Sequence, residues 1–141
     1  MPFTITRTHD FDAGHRVCGH ESKCAHLHGH RYTVAFTVQT ESLDEIGRII
    51  DFSVIKGLLC QWLEDHWDHR MLLWCHDPFL ERMQDIDPHV VALPLNPTAE
   101  NLAIILLQDI GPRQLAGTGV TLVTVTVNET AKCSATFSLS K

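Results

Sequence analysis

Period-two alternation at both ends of the chain, around a middle with helical periodicity, limits what this sequence can build. Arg31 to Thr40 alternates, with Tyr32, Val34, Phe36 and Val38 on one face and Thr33, Ala35 and Thr37 on the other; Phe3 to His15 alternates more loosely. Near the other end "GVTLVTVTVNE" and "CSATFSLS" alternate too, and "TAK" between them suits a hairpin connection. In the middle, "DFSVIKGLLCQWLEDHW" changes period: Val54, Ile55, Leu58, Leu59, Trp62 and Leu63 fall at helical spacing behind Ser53 as the expected N-cap. A short helical turn is expected around Leu80 to Gln84. A second long helix is expected from Thr98, its N-cap, with Leu102, Ile105, Leu106 and Ile110 as the apolar stripe and Gly111-Pro112 as the stop. The order is therefore ββααββ, an α+β chain with a four-stranded antiparallel sheet and two helices on one face. Such a sheet leaves both edges unpaired, and pairing with further copies of the chain is the most economical protection.

A length of 141 residues suits one domain spanning 1–141, with 44% hydrophobic and 20% charged residues as in soluble globular proteins. No apolar run approaches the ~20 residues of a membrane span, so no membrane role is expected. "MPFTITRTHD" has no basic segment followed by an apolar stretch, which makes the cytoplasm the expected location. The net charge of −6, without a basic tract, argues against nucleic acid as a partner. Five cysteines (Cys18, Cys24, Cys60, Cys75, Cys133) form no CxxC pair and read as reduced thiols.

Ten histidines turn attention to metal and proton chemistry. "KCAHLHGHRYTVAF" carries one cysteine and three histidines directly before an alternating strand. His28 and His30, two apart in extended chain, point to one face about 7 Å apart at Cβ, within reach of one ion. If the first two strands pair as a hairpin, His15 joins them, and three histidines leave zinc a position open for water or substrate. His20 or His26 stands as a rival ligand; with His9, His66, His76 and His89, these two otherwise read as surface residues. Glu129 continues the face of Val123, Val125 and Val127, and a carboxylate there needs a donor partner if buried.

"FDAGHRV", "KCAHLHGHRYTV", "IIDF", "WDHRMLL", "NPTAEN" and "VNET" resemble, in order and spacing over nearly the whole chain, the 6-pyruvoyltetrahydropterin synthase and 6-carboxytetrahydropterin synthase family. The short C-x3-HGH form from Cys24 to His30 looks like the bacterial 6-carboxy enzymes of the queuosine and 7-deazapurine pathway. Gly14 departs from the alanine or serine common in the family, and the connection from Trp74 to Leu95 is longer than in its shortest members.

The resemblance implies the tunnelling fold, with ββααββ subunits joining their sheets into a barrel in trimers and two trimers stacking as a homohexamer. It implies zinc (Zn2+) on His15, His28 and His30, a catalytic set of Cys24, Asp68 and His69, and Glu129 as anchor of a pterin ring. Thr98 matches a threonine that touches the pterin from a neighbouring subunit. The implied substrate is 7,8-dihydroneopterin triphosphate, converted to 6-carboxy-5,6,7,8-tetrahydropterin with release of acetaldehyde and triphosphate. Cys24 is then the candidate base, since a thiol near pKa ~8.5 needs only a modest downward shift to ionise at neutral pH. Arg16 and Lys23 flank the ligands and are the candidates for holding the triphosphate. The competing readings are a pyruvoyl-forming synthase, which eliminates triphosphate without carbon–carbon cleavage, and a non-catalytic zinc or pterin-binding module.

Overall fold

Strands β1 (Phe3–His15) and β2 (His28–Thr40) pair antiparallel along their full length, from Phe3↔Thr40 to His15↔His28. The computed structural model describes residues 2–140. β2 pairs with β5 (Thr121–Asn128) and β5 with β6 (Ser134–Ser138), both antiparallel, which completes the expected four strands. The sheet nevertheless has six. The short strands β3 (Met71–Trp74) and β4 (Val91–Leu93) continue it past β1 in parallel, giving the order β4-β3-β1-β2-β5-β6 and a mixed sheet. Strands of four and three residues carry no readable period, and "MLLW" and "VAL" look like any short apolar run. Gly14 belongs to this extension, because a Cβ there would lie 2.6 Å from Met71 Cε. A larger residue at position 14 would have to displace the flexible end of the Met71 side chain.

The expected face of β2 is the core face: Tyr32, Val34, Phe36 and Val38 are all buried. They pack with Phe11, Val125 and Val127 against two long helices, α1 (52–66) and α3 (99–114), in one cluster. A third, short helix, α2 (Leu80–Ile86), lies in the long connection before β4. The other sheet face is polar, with hydroxyl pairs Thr6–Thr37, Thr124–Ser138 and Thr126–Thr136 bridging strands. Burial of the β2 alternation and of the Ile55, Leu59 and Leu63 stripe supplies the main driving force, at about 25 cal/mol per Å2 of apolar surface.

The helix ends follow the expected local signal at Thr98 and depart from it at Ser53 and Gly111-Pro112. Asp51 caps α1, accepting from the Ser53 backbone N–H at 2.8 Å; an aspartate two residues earlier does what Ser53 was expected to do. Thr98 caps α3 as expected, accepting from Asn101 N–H at 3.1 Å. Gly111-Pro112 does not end α3, which runs to Gln114. A π turn over Leu106–Ile110 widens the helix just before the proline, so the ring escapes the clash that stops an ordinary α-helix. Gly111 is needed there because a Cβ would sit 2.2 Å from Leu122 Cδ2. A register shift between Thr37 and Val38 puts Leu122, not Val123, on the buried face with Val125 and Val127.

Candidate functional site

The β1–β2 register sets the site. His15 lies directly opposite His28, and His30 is one step further along the same face, opposite Ala13. The three rings meet edge to face, with centroids 4.5 to 5.0 Å apart. Two backbone carbonyls fix how they point. His15 Nδ1 donates to Pro97 O at 2.7 Å and His28 Nδ1 donates to His26 O at 2.6 Å. A proton on each Nδ1 leaves each Nε2 with a bare lone pair in the neutral ring, and these two nitrogens face each other at 3.0 Å. Facing lone pairs are relieved by a metal ion bound to both nitrogens or by a proton shared between them.

His30 Nε2 is buried without a hydrogen bond, although Glu129 Oε1 approaches it to 2.9 Å from an unsuitable direction. Its approach marks a ligand-rich point and not a finished contact. Ligand atoms of His15, His28, His30 and Glu129 all fall within 4.8 Å of one another, which matches a first-row metal with bonds of about 2 Å. This buried His/His/His/Glu group can hold a metal ion. His15, fully buried, has its pKa lowered to about 4, chiefly by burial; the Pro97 carbonyl raises it and the charges of His28 and His30 lower it further. His30 is pushed down by burial, against an upward pull from Glu129. Both rings are therefore neutral near pH 7, as ligands must be. Neither His20 nor His26 belongs to the group; the ring of His20 accepts from Ser22 N–H at 2.9 Å.

Behind the histidines the chain is clamped. Arg16, expected at the triphosphate, is buried and committed elsewhere: its guanidinium makes a two-pronged bond to Asp77 at 2.7 and 2.9 Å and donates to Ala25 O at 3.0 Å. It also lies 3.7 Å over the Phe79 ring. With those donors taken, Arg16 holds the 17–25 loop and presents nothing to a substrate. Asn96 clamps the same loop from its other side, exchanging two hydrogen bonds with the backbone of Cys18. The run "NPTAEN" thus works as a hub: Asn96 holds the loop, Pro97 orients His15, and Thr98 caps α3. Of these, sequence reasoning singled out Thr98 alone. Asp77 and Asn96 gave no local signal, since their partners are 61 and 78 residues away.

Cys24 sits in a 3-10 turn (Lys23–Ala25) and shares an open cavity of about 360 Å3 with Lys23, His26, His28 and His30. The thiol, the lysine and two of the proposed ligands are brought together. Asp68 and His69 are not. His69 lines a second cleft of about 420 Å3 with Asp12, Ala13, Gly14, Gly29, His30 and Arg31, so His30 borders both cavities. There His69 Nδ1 donates to Asp68 Oδ2 at 2.7 Å, and Asp68 Oδ1 accepts from Asp12 N–H at 3.0 Å. His69 holds a left-handed φ of 60°, the only non-glycine positive φ among the described residues. Such a conformation costs about 1–3 kcal/mol and is characteristic of functional positions. The Asp68 hydrogen bond and charge raise the His69 pKa. For Asp68, burial pushes upward, but the Asp12 N–H and His69 outweigh it and hold the carboxyl below its usual range.

Glu129, just past β5, sits at the histidines, half-buried. Tyr32, wholly buried beneath them, has its phenol pushed up by burial and by the Glu129 charge. Glu100, in the first turn of α3, is an exposed carboxylate with no partner among the described residues, two positions from Thr98. It was not singled out from sequence.

Known proteins resemble this chain over nearly its whole length. The family model described as 6-pyruvoyl tetrahydropterin synthase matches residues 4–139. A Rickettsia bellii protein named 6-carboxy-5,6,7,8-tetrahydropterin synthase is 39% identical over 132 residues, covering 91% of this chain and 94% of the relative. A protein of the same name from Aquifex aeolicus is 30% identical, with 73% and 75% covered. Among solved structures, an uncharacterized protein from Wolinella succinogenes superposes with a TM-score of 0.84 at 23% identity, covering 98% of both chains. The Caenorhabditis elegans 6-pyruvoyl tetrahydropterin synthase does so at 0.70 and 23%, covering 99% of this chain and 97% of the other. No helix among the described residues is long and apolar enough to cross a membrane.

Proposed function

The chain belongs to the 6-pyruvoyl tetrahydropterin synthase family, and from that premise we propose that it is a zinc-dependent 6-carboxy-5,6,7,8-tetrahydropterin synthase serving queuosine or related 7-deazapurine synthesis. The reaction converts 7,8-dihydroneopterin triphosphate to the carboxypterin with release of acetaldehyde and triphosphate. One observation supports the reading most: of three imidazoles with converging nitrogens, His28 and His30 line the cavity that also holds the Cys24 thiol.

His15, His28 and His30 would hold the ion, with Glu129 at their edge. A zinc ion bound there supplies a Lewis acid and a template for the side-chain oxygens of the substrate. Cys24 takes the proton from the side-chain carbon or hydroxyl presented to it, as a thiolate base. Lys23 on the same cavity is the cation for the triphosphate, with Arg16 withdrawn into its pair with Asp77. Asp68 orients His69 and stabilises its protonated form, so the dyad can return a proton.

The dyad and Cys24 line separate cavities that share His30, and association of chains would let one chain's dyad serve the cavity of its neighbour. A hexamer of two stacked trimers, with sheets joined into a barrel, supplies that contact and covers the edges at β4 and β6. Glu129 offers its open carboxylate edge to the two N–H donors of the pterin. With one oxygen already near His30, Glu100 beside Thr98 is the second carboxylate suited to that edge.

Incubation with 7,8-dihydroneopterin triphosphate and mass measurement of the product tests the reading. The carboxypterin with equimolar acetaldehyde is expected. A pyruvoyl product without acetaldehyde would establish the alternative activity, which the nematode fold relative's name favours. Pterin binding without turnover by the metal-loaded chain would leave a binding module.

A further inference from the structure

Among the described residues, two buried side-chain atoms lack a hydrogen-bond partner: His30 Nε2 and the Tyr32 hydroxyl. A metal accounts for the first, and nothing in the chemistry above uses the second. Tyr32 is completely buried, with its ring stacked on Phe11 at 5.2 Å and meeting the edges of His15 and His30 at 5.9 and 5.6 Å. Phenylalanine would make the same ring contacts without burying an unpaired hydroxyl, which is unfavourable. The hydroxyl therefore calls for an acceptor.

The register supplies one. β2 and β5 pair Val34 with Val127 and Thr33 with Asn128, where β5 ends; the same register carried one step further would set Tyr32 opposite Glu129. Residues facing across antiparallel strands have Cβ atoms roughly 4.5–5.5 Å apart, close enough for a phenol and a carboxylate to meet. Glu129 Oε1 now lies 2.9 Å from His30 Nε2 without a hydrogen bond to it. Once that nitrogen serves an ion, the tyrosine O–H is the donor placed to fix the carboxylate.

We propose that Tyr32 is the positioning residue for Glu129: its hydroxyl donates to that carboxylate in the metal-loaded protein and holds it against the three histidines. This rests on the metal reading of the cluster and adds the group that sets its fourth member. Tyr32 touches no reacting atom in this role.

The test is zinc binding, not turnover. Metal-free wild type, Tyr32→Phe, Glu129→Ala and the double variant are titrated with Zn2+ against a competing chelator, and each is melted with and without zinc. Tyr32→Phe should bind on the order of tenfold more weakly, the usual loss on removing a group that orients a ligand. The double variant should be no weaker than Glu129→Ala, because Tyr32 acts through that carboxylate. Without zinc, Tyr32→Phe should melt no lower than wild type, whereas with zinc it should gain less. Wild-type zinc affinity in Tyr32→Phe, losses that multiply in the double variant, or a lower melting point of zinc-free Tyr32→Phe would each overturn the proposal. Failure of wild type itself to bind zinc would remove the metal reading and this proposal together, and is told apart because all four proteins would then behave alike.

Discussion

The histidines at the end of the β1–β2 hairpin and the histidine beside Asp68 use one side chain in opposite ways. His15 and His30 are sunk into the core face, where burial lowers their pKa values. His69 stands out with its side chain 77% exposed, and the Asp68 carboxylate raises its pKa. The first environment keeps imidazoles neutral with nitrogen lone pairs facing one point; the second favours an imidazolium that can carry a proton. Where burial outweighs the nearby carboxylate, as at His30 beside Glu129, the ring stays a ligand, and where exposure leaves the carboxylate's pull unopposed, as at His69, it becomes an acid. The two regions also differ in their cavities: the cluster shares one with Cys24, whereas His69 lines a second cleft that reaches the cluster only at His30.

The sharpest way to break this contrast is to remove a ring from each region. His28→Ala or His30→Ala should lower turnover by roughly 10⁴-fold, since loss of the ion removes several kcal/mol of transition-state stabilisation. His69→Ala and Cys24→Ala should each lose roughly 10²- to 10³-fold while keeping the metal, as expected for proton-transfer groups. Co-refolding those two inactive chains sharpens the point. A dyad that serves a neighbour's cavity predicts recovered turnover in the mixed oligomer, and a mixture as inactive as its parents would place the dyad's work within one chain.

Acid should separate the regions too. His15 takes up protons less readily folded than unfolded, so its contribution is complete above about pH 6.5 and fades as pH falls toward its folded value of about 4. Chemical denaturation of the metal-free protein should show about 3 kcal/mol lost across that window. His15→Gln should flatten the loss, and an unchanged slope in that variant would contradict the assignment. The smallest effect is expected at Thr98→Ala, about 1 kcal/mol of stability from the lost cap. A rise in KM beyond what that loosening explains would identify a substrate contact as well.

How legible each part was follows from the range of its interactions. The β2 face and the α1 and α3 stripes were readable because a repeat of two or 3.6 residues reports burial directly, and the cap at Thr98 acts over three residues. The strands β3 and β4 were not, being too short to show a period and held by pairing to distant chain. At the site, His28 and His30 could be paired from their spacing, and His15 joined them once the hairpin register was assumed. The orientation of the His15 ring by Pro97, and the withdrawal of Arg16 by Asp77, depend on partners 82 and 61 residues away, which no local pattern encodes. Glu129 was expected to anchor a pterin, and its approach to the histidines, set by where β5 ends relative to β2, had no signal in the sequence.

The claim that everything else rests on is that one metal ion sits on His15, His28 and His30. Titrating the metal-free chain with Zn2+ in a calorimeter, alongside His28→Ala and His30→Ala, tests it most directly. One equivalent per wild-type chain, with tight binding lost in both variants, is the predicted result. No binding by wild type, or full stoichiometry and unchanged affinity in either variant, would contradict it.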